Sequence, residues 1–135
     1  MELFENIKRI KDKIEPANAA AQAGYSALNA ELKTLESLPV VNASPYWLNG
    51  EYLYLVHPQT PEKKRHRQYI GNDPERVEEA LLRVTRGKRI KELRRERRRI
   101  DRQVSAAFRA FLRGVSYLER VVDNVSHAKL EGGDK

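Results

Sequence analysis

Residues 46–58 read YWLNGEYLYLVHP. The stretch alternates with period two about a central Asn49-Gly50. That dipeptide is a strong short-range hairpin signal, because a type I′ turn needs positive φ at both central residues. A two-residue loop there pairs Leu48 with Glu51, Trp47 with Tyr52, and Tyr46 with Leu53. Alternation then groups Leu48, Leu53 and Leu55 on one face and Trp47, Tyr52 and Tyr54 on the other. A small sheet has one core to fill, so the aromatic face needs a second explanation.

Working outward, RHRQYI (65–70) closing at Gly71 predicts a third antiparallel strand. It adds Ile70 to the leucine face and Arg65, Arg67 and Tyr69 to the aromatic one. NDPERVEEALLRV (72–84) then starts a helix. Asn72 or Asp73 can cap it, Pro74 suits its first turn, and Glu75, Glu78 and Glu79 complement its positive end. Its Val77, Ala80, Leu81 and Val84 form one apolar face able to cover the leucines. Thr85-Arg86-Gly87 weakens that helix, either as a short break or as a costly interior glycine, and residues 44–86 read as a three-stranded meander plus a short helix.

Long helices flank this insert. Over residues 1–38, Leu3, Ile7, Ile10, Ile14, Ala17, Ala21, Gly24, Leu28, Leu32 and Leu35 recur at coiled-coil spacing. Pro16 predicts a kink or break near Asp12–Glu15, and Leu38-Pro39 ends the helix. Over residues 88–126 a second seam runs through Ile90, Leu93, Arg97, Ile100, Val104, Ala107, Phe111, Val115, Leu118, Val122 and Val125. Residues 127–135 lack a pattern and are expected to be a disordered tail. The expected fold is α+β, mostly α: a long antiparallel coiled-coil helical hairpin carrying a three-stranded antiparallel sheet and a short helix at its tip. Two paired helices bury little, so a homodimer through the seams is expected.

Charge is unevenly placed along this frame. The net charge is +7, yet residues 1–60 hold five Lys/Arg against seven Asp/Glu, a balance of −2, and residues 61–135 hold 21 against 12, a balance of +9. Such asymmetry fits a polyanionic partner or a well-solvated basic protein. At about 100° per residue Ile90, Leu93, Val104, Phe108 and Phe111 of the second long helix fall within roughly 60° of one another. Lys91, Arg95, Arg98, Arg99 and Arg102 fall on the opposite side with Arg109, Arg113 and Arg120, as one outer ridge. The excess of Arg over Lys suits bidentate phosphate contact, whereas a solvated face with long side chains over apolar edges is the plain reading. Antiparallel pairing of the helices brings Glu31 and Glu36 near Arg94 and Arg97.

Other chemistry finds little foothold. Without cysteine there is no disulfide or thiolate metal site. His57, His66 and His127 have no second ligand at metal-binding spacing, no Gly-rich phosphate loop occurs, and the serines lack a nucleophile's context. No catalytic residue, metal or cofactor is expected. No apolar run approaches a membrane span, and MELFENIKRIKDKIEP (1–16) lacks a signal peptide's apolar core. A cytoplasmic protein without a membrane partner is expected.

The aromatic face offers Trp47, Tyr52, Tyr54, Arg65, Arg67 and Tyr69, with Lys63 and Lys64 in the adjoining loop. Aromatics interleaved with arginines on an uncovered ribbon fit a groove-reading platform; packing on the helices or on another protein is the alternative. With QYIGNDPERVEEALLRV (68–84) at the strand-to-helix joint, residues 45–85 resemble the arm-type DNA-binding domains of tyrosine integrases and are similar in shape to the plant ethylene-response-factor domain. The carried pattern is Tyr69-Ile70-Gly71 followed by a helix whose Ala80 and Leu81 face the sheet. The resemblance implies that the exposed sheet face enters the major groove. The expected function is therefore non-enzymatic nucleic-acid binding, duplex DNA before RNA, in an accessory factor of a phage or mobile element. The alternative is a coiled-coil protein-interaction module, an adaptor or small inhibitor, whose sheet tip docks on a protein partner.

Overall fold

The computed structural model describes residues 1–133, with side chains to residue 128. In chain order it forms α1 (Glu2–Glu36), β1 (Ser44–Leu48), β2 (Tyr52–His57), β3 (His66–Gly71) and α2 (Pro74–Gly133). This is a mostly helical α+β fold with one three-stranded antiparallel sheet, ordered β1-β2-β3. The chain divides between Arg97 and Arg98 into two compact units.

In the first unit the hairpin turn has the expected chemistry and an unexpected register. Asn49 and Gly50 both take positive φ, 54° and 67°, and the Glu51 amide donates to the Leu48 carbonyl at 3.1 Å. Yet the ladder pairs Leu48 with Tyr52, Trp47 with Leu53 and Tyr46 with Tyr54. Glu51 stays in the loop, which has three residues instead of two. A one-residue slip exchanges the two faces of a strand. Trp47 therefore shares the face of Leu53 and Leu55, and Leu48 joins the tyrosines, the reverse of the expected grouping.

The β2–β3 ladder shifts once, between Leu53 and Tyr54, where Gly71 and Tyr69 are the successive partners. Ile70 is the extra residue, and it packs against the core. Gly71 follows at φ 103°, a conformation that L side chains rarely adopt.

The core is small. Leu53 (0% exposed) and Leu55 (2%) pack with Ala80 and Val84 of α2, bordered by Val41, Ala43, Ile70, Val77 and Leu81. The 3.6-residue spacing of Val77, Ala80, Leu81 and Val84 places all four on the face that meets the sheet. Leu48 and Trp47 lie outside that cluster, at 38% and 44% exposure.

No break occurs at Thr85-Arg86-Gly87, and α2 continues through it. The glycine answers a tertiary demand: a Cβ at Gly87 would lie 2.6 Å from the Val41 carbonyl oxygen. The connection between α1 and β1 is held against α2 there. The Val41 amide donates to the Arg83 carbonyl at 3.1 Å, and Arg86 Nη1 donates to the Pro39 carbonyl at 3.2 Å. Pro16 likewise lies inside α1 without ending it. The expected tail is helical as far as Gly133; residues 134 and 135 lie outside the described ones.

The helices run antiparallel where they meet. Arg89 forks onto Glu31, Nε to Oε1 at 2.8 Å and Nη2 to Oε2 at 3.2 Å. Arg94 reaches Glu36 at 2.9 Å and Arg97 reaches Asn29 at 3.4 Å. The expectation for Glu36 and Arg94 agrees with this, while Glu31 takes Arg89 and Arg97 takes a neutral amide. Leu28, Leu32, Ile90 and Leu93 are buried along the same stretch. Toward the start of α1, Leu3, Phe4, Ile7 and Ile10 are exposed, so coiled-coil packing covers only part of the expected seam. The Arg89 hydrogen bond is the main cause that lowers the Glu31 carboxyl below its ordinary range, and the Arg89 guanidinium is raised in return.

Among the described residues the second unit, from Arg98 onward, consists of α2. Val104, Phe108, Phe111, Leu112, Val115, Val122 and Val125 are all exposed.

Candidate nucleic-acid interface

Register decides what the uncovered sheet face presents. The pairs Tyr46–Tyr54, Tyr54–Tyr69 and Val56–Arg67 place Tyr46, Tyr54, Tyr69 and Arg67 on one side, with Tyr52 and Leu48 beyond them toward the hairpin tip. The guanidinium of Arg67 lies over the Tyr46 ring, 4.9 Å from its centroid. The Tyr54 and Tyr69 rings meet at 5.1 Å with a 58° tilt. The first contact joins the two edge strands across the middle one and the second holds Tyr69 against the middle strand. Tyr46, Arg67 and Tyr69 are exposed, while Tyr52 and Tyr54 are half-buried by their neighbours.

None of the strand residues, 44–48, 52–57 and 66–71, is acidic. The field over this face is therefore set by Arg67 and by the loop that leads into β3. That loop closes on itself: the amides of Thr60 and Lys63 each donate to the other's carbonyl, at 2.8 and 3.3 Å, and the Lys63 amide also reaches Thr60 Oγ1 at 3.0 Å. The closed turn carries Glu62 and Lys63, and Lys64 and Arg65 follow it, all exposed, so three cations stand against one carboxylate. At the base of the loop the His57 and His66 rings stack at 4.5 Å, and His57 Nε2 donates to Gln68 Oε1 at 2.9 Å. Both histidines have the parity of Leu55, away from the tyrosines.

The candidates thus sort into groups. Tyr52, Tyr54, Arg67 and Tyr69 share one face, with Lys63, Lys64 and Arg65 in the adjoining loop. Trp47 does not belong there, because the three-residue loop turns it to the opposite side. Tyr46 replaces it; the sequence carried no local sign of this beyond Tyr46's own aromatic ring. On α2, Lys91 is drawn away from a free outer ridge, since its ammonium donates to Asn42 Oδ1. Arg95 is exposed and makes no ion pair among the described residues. In the second unit Arg98, Arg102, Arg109 and Arg113 are exposed, and Arg99 has an intramolecular partner. Arg120 lies over the Tyr117 ring at 5.3 Å.

Among the described residues no group of three His, Cys, Asp or Glu side chains could hold a metal ion, and no helix is long and apolar enough to cross a membrane. No protein-family model, curated protein or solved structure matches the chain. The likeness of residues 45–85 to integrase arm-type domains rests on those residues alone.

Proposed function

We propose that this protein is a non-enzymatic nucleic-acid-binding protein that lays its tyrosine–arginine sheet face in the major groove of duplex DNA. The observation that carries the reading is the uncovered face itself: Tyr46 under Arg67 and Tyr54 against Tyr69, on strands without a carboxylate. Three strands about 4.8 Å apart form a ribbon roughly 10 Å wide, which fits a groove about 12 Å wide. Tyrosine hydroxyls can meet phosphate or sugar, Arg67 can turn its donors to a guanine edge, and Lys63, Lys64 and Arg65 meet the flanking backbone.

Affinity for a labelled duplex, followed by anisotropy across a salt series, tests this. Log affinity should fall linearly with log salt, by about 0.9 for each phosphate neutralised, and Arg67→Ala should weaken binding. If duplex, single strand and structured RNA all fail to bind at low salt, the reading is wrong. Exposure of Trp47 and Leu48 beside the hairpin tip favours the second reading in that case, a tip that docks on a protein.

For the second unit we infer a second copy of the chain as partner. Val104, Phe111, Leu118 and Val125 recur every seven residues, and each is at least 38% exposed. Helical periodicity places Arg102, Arg109 and Arg113 on the other side, so pairing through the apolar stripe leaves the cations outward. A stable interface needs roughly 800 Å² from each partner, and the eight large apolar residues exposed on that side, Val104, Phe108, Phe111, Leu112, Val115, Leu118, Val122 and Val125, supply most of an area of that order. Light scattering should give twice the chain mass of 15.6 kDa; a monomer at micromolar concentration would refute it.

A further inference from the structure

At the Ser44–Val56 end of the sheet lies an open recess of about 440 Å³. Its wall comes from three parts of the first unit. The connection into β1 supplies Asn42 and Ser44, the β2–β3 loop supplies Gln59 and Arg65, and α2 supplies Lys88 and Lys91. We propose that this recess seats one backbone phosphate of the strand that crosses the tyrosine face. The inference rests on the nucleic-acid reading above.

The charge pattern is the first argument. Three cations converge on the recess, and no carboxylate lines it. Arg65 and Lys88 make no ion pair among the described residues. Lys91 has a partner, but Asn42 Oδ1 is a neutral amide oxygen, so the ammonium is oriented without being neutralised. Elsewhere in this unit several cations do find acids: Arg89 with Glu31, Arg94 with Glu36, Arg83 with Glu79. Gathering like charge without a counter-charge is unfavourable in the empty site, and an anion reverses the sign.

The donor set is the second argument. Arg65 brings a planar fork suited to two phosphate oxygens, the lysines bring point charges, and Ser44, Asn42 and Gln59 bring neutral hydrogen-bonding groups. A lone carboxylate would leave most of this charge unused.

Position is the third. Ser44 pairs with Val56 two residues beyond the Tyr46–Tyr54 pair, on the same side of the sheet. That is one ladder step of about 7 Å. A strand lying on Tyr46 and Tyr54 therefore meets the rim of the recess at Ser44 and Val56, and Lys88 and Lys91 reach the recess from α2, which packs on the leucine face.

The test uses the full chain with Arg65 and Lys88 both changed to Gln. Both side chains are exposed, so circular dichroism should be unchanged. The control, Lys11→Gln with Lys13→Gln on α1, removes the same charge at a distance along the chain. The recess variant should lose duplex affinity alike on every sequence, and its salt slope should fall by about 1, with the slope restored by Arg65→Lys and Lys88→Arg. The control should keep the wild-type slope. If the wild type binds and both variants keep its slope, the recess seats no phosphate while the sheet-face reading stands. If the wild type binds no nucleic acid, inorganic phosphate is titrated against the amide resonances of Asn42 and Ser44. Selective saturable shifts, lost in the recess variant, retain the anion seat without nucleic acid, and their absence overturns it.

Discussion

Replacing Gly87 by Ala sets two effects of known sign against each other. In an exposed helix interior the change stabilises by about 1 kcal/mol, because Ala has the better helix propensity. At Gly87 the new methyl would sit 2.6 Å from the Val41 carbonyl oxygen, a distance only backbone movement can relieve. Val41 cannot retreat freely, since its amide is bonded to the Arg83 carbonyl and Pro39 is held by Arg86. Overpacking of this kind costs about 1–3 kcal/mol, and losing the Val41 hydrogen bond adds about 1. The net expectation is a loss of roughly 1–3 kcal/mol. Urea titration followed by Trp47 fluorescence reads the sheet unit directly, and a urea m-value near 2 kcal/mol/M turns that loss into a midpoint lower by about 0.5–1.5 M. Gly24→Ala is the matched control. Its Cβ would meet nothing within 4 Å, so that variant should gain helix stability. If Gly87→Ala shows the same gain, the segment 39–43 does not hold the helix as described and the explanation for the glycine fails.

Leu55→Ala empties the centre of a core cluster with four buried members; a loss of about 2–5 kcal/mol should appear as early unfolding of the Trp47 signal. Tyr46→Ala should weaken duplex binding by about 1–3 kcal/mol, while Trp47→Ala should leave it near wild type; the opposite order would restore the two-residue loop. For Glu31 the sign follows from its lowered carboxyl. Its contribution is complete above the ordinary glutamate range and disappears as pH falls through the lowered value. Thermal melts of wild type and Glu31→Gln should therefore differ at neutral pH and converge in acid, and a difference that persists in acid would refute the pairing.

Much of the architecture was readable because several signals agree at each place. Period 2 changes to period 3.6 at Asn72–Pro74, and the four apolar residues that follow are those that cover the sheet. Where expectation and structure part, a distant contact overrules a local rule. By propensity alone Gly87 reads as a short break or a costly interior residue, and only the carbonyl of Val41, far away in sequence, explains a glycine inside a continuous helix. The Arg89–Glu31 pair is not legible in the sequence, because periodicity gives a residue's side of a helix, not its height against a partner.

The hairpin register is the more instructive case, because it decides the binding face. Asn49-Gly50 accepts positive φ whether or not Glu51 joins the ladder, so turn chemistry permits both loops. Burial normally chooses between them, since a slip carries apolar side chains into water. On β1 that test has no power. Every residue of the strand is exposed, and Trp47 and Leu48 differ little in exposure. The core is filled by Leu53 and Leu55 from the middle strand and does not depend on which of the two faces it. What distinguishes the registers is the opposite side. With Tyr46 across from Tyr54, Arg67 can lie over one ring while Tyr69 leans on the other; with Trp47 there, Tyr46 would turn to the core side and that cation–π contact would be lost. The contacts that tell the two registers apart therefore belong to the surface offered to a ligand, and substitutions at Tyr46 and Arg67 should disturb register and binding together.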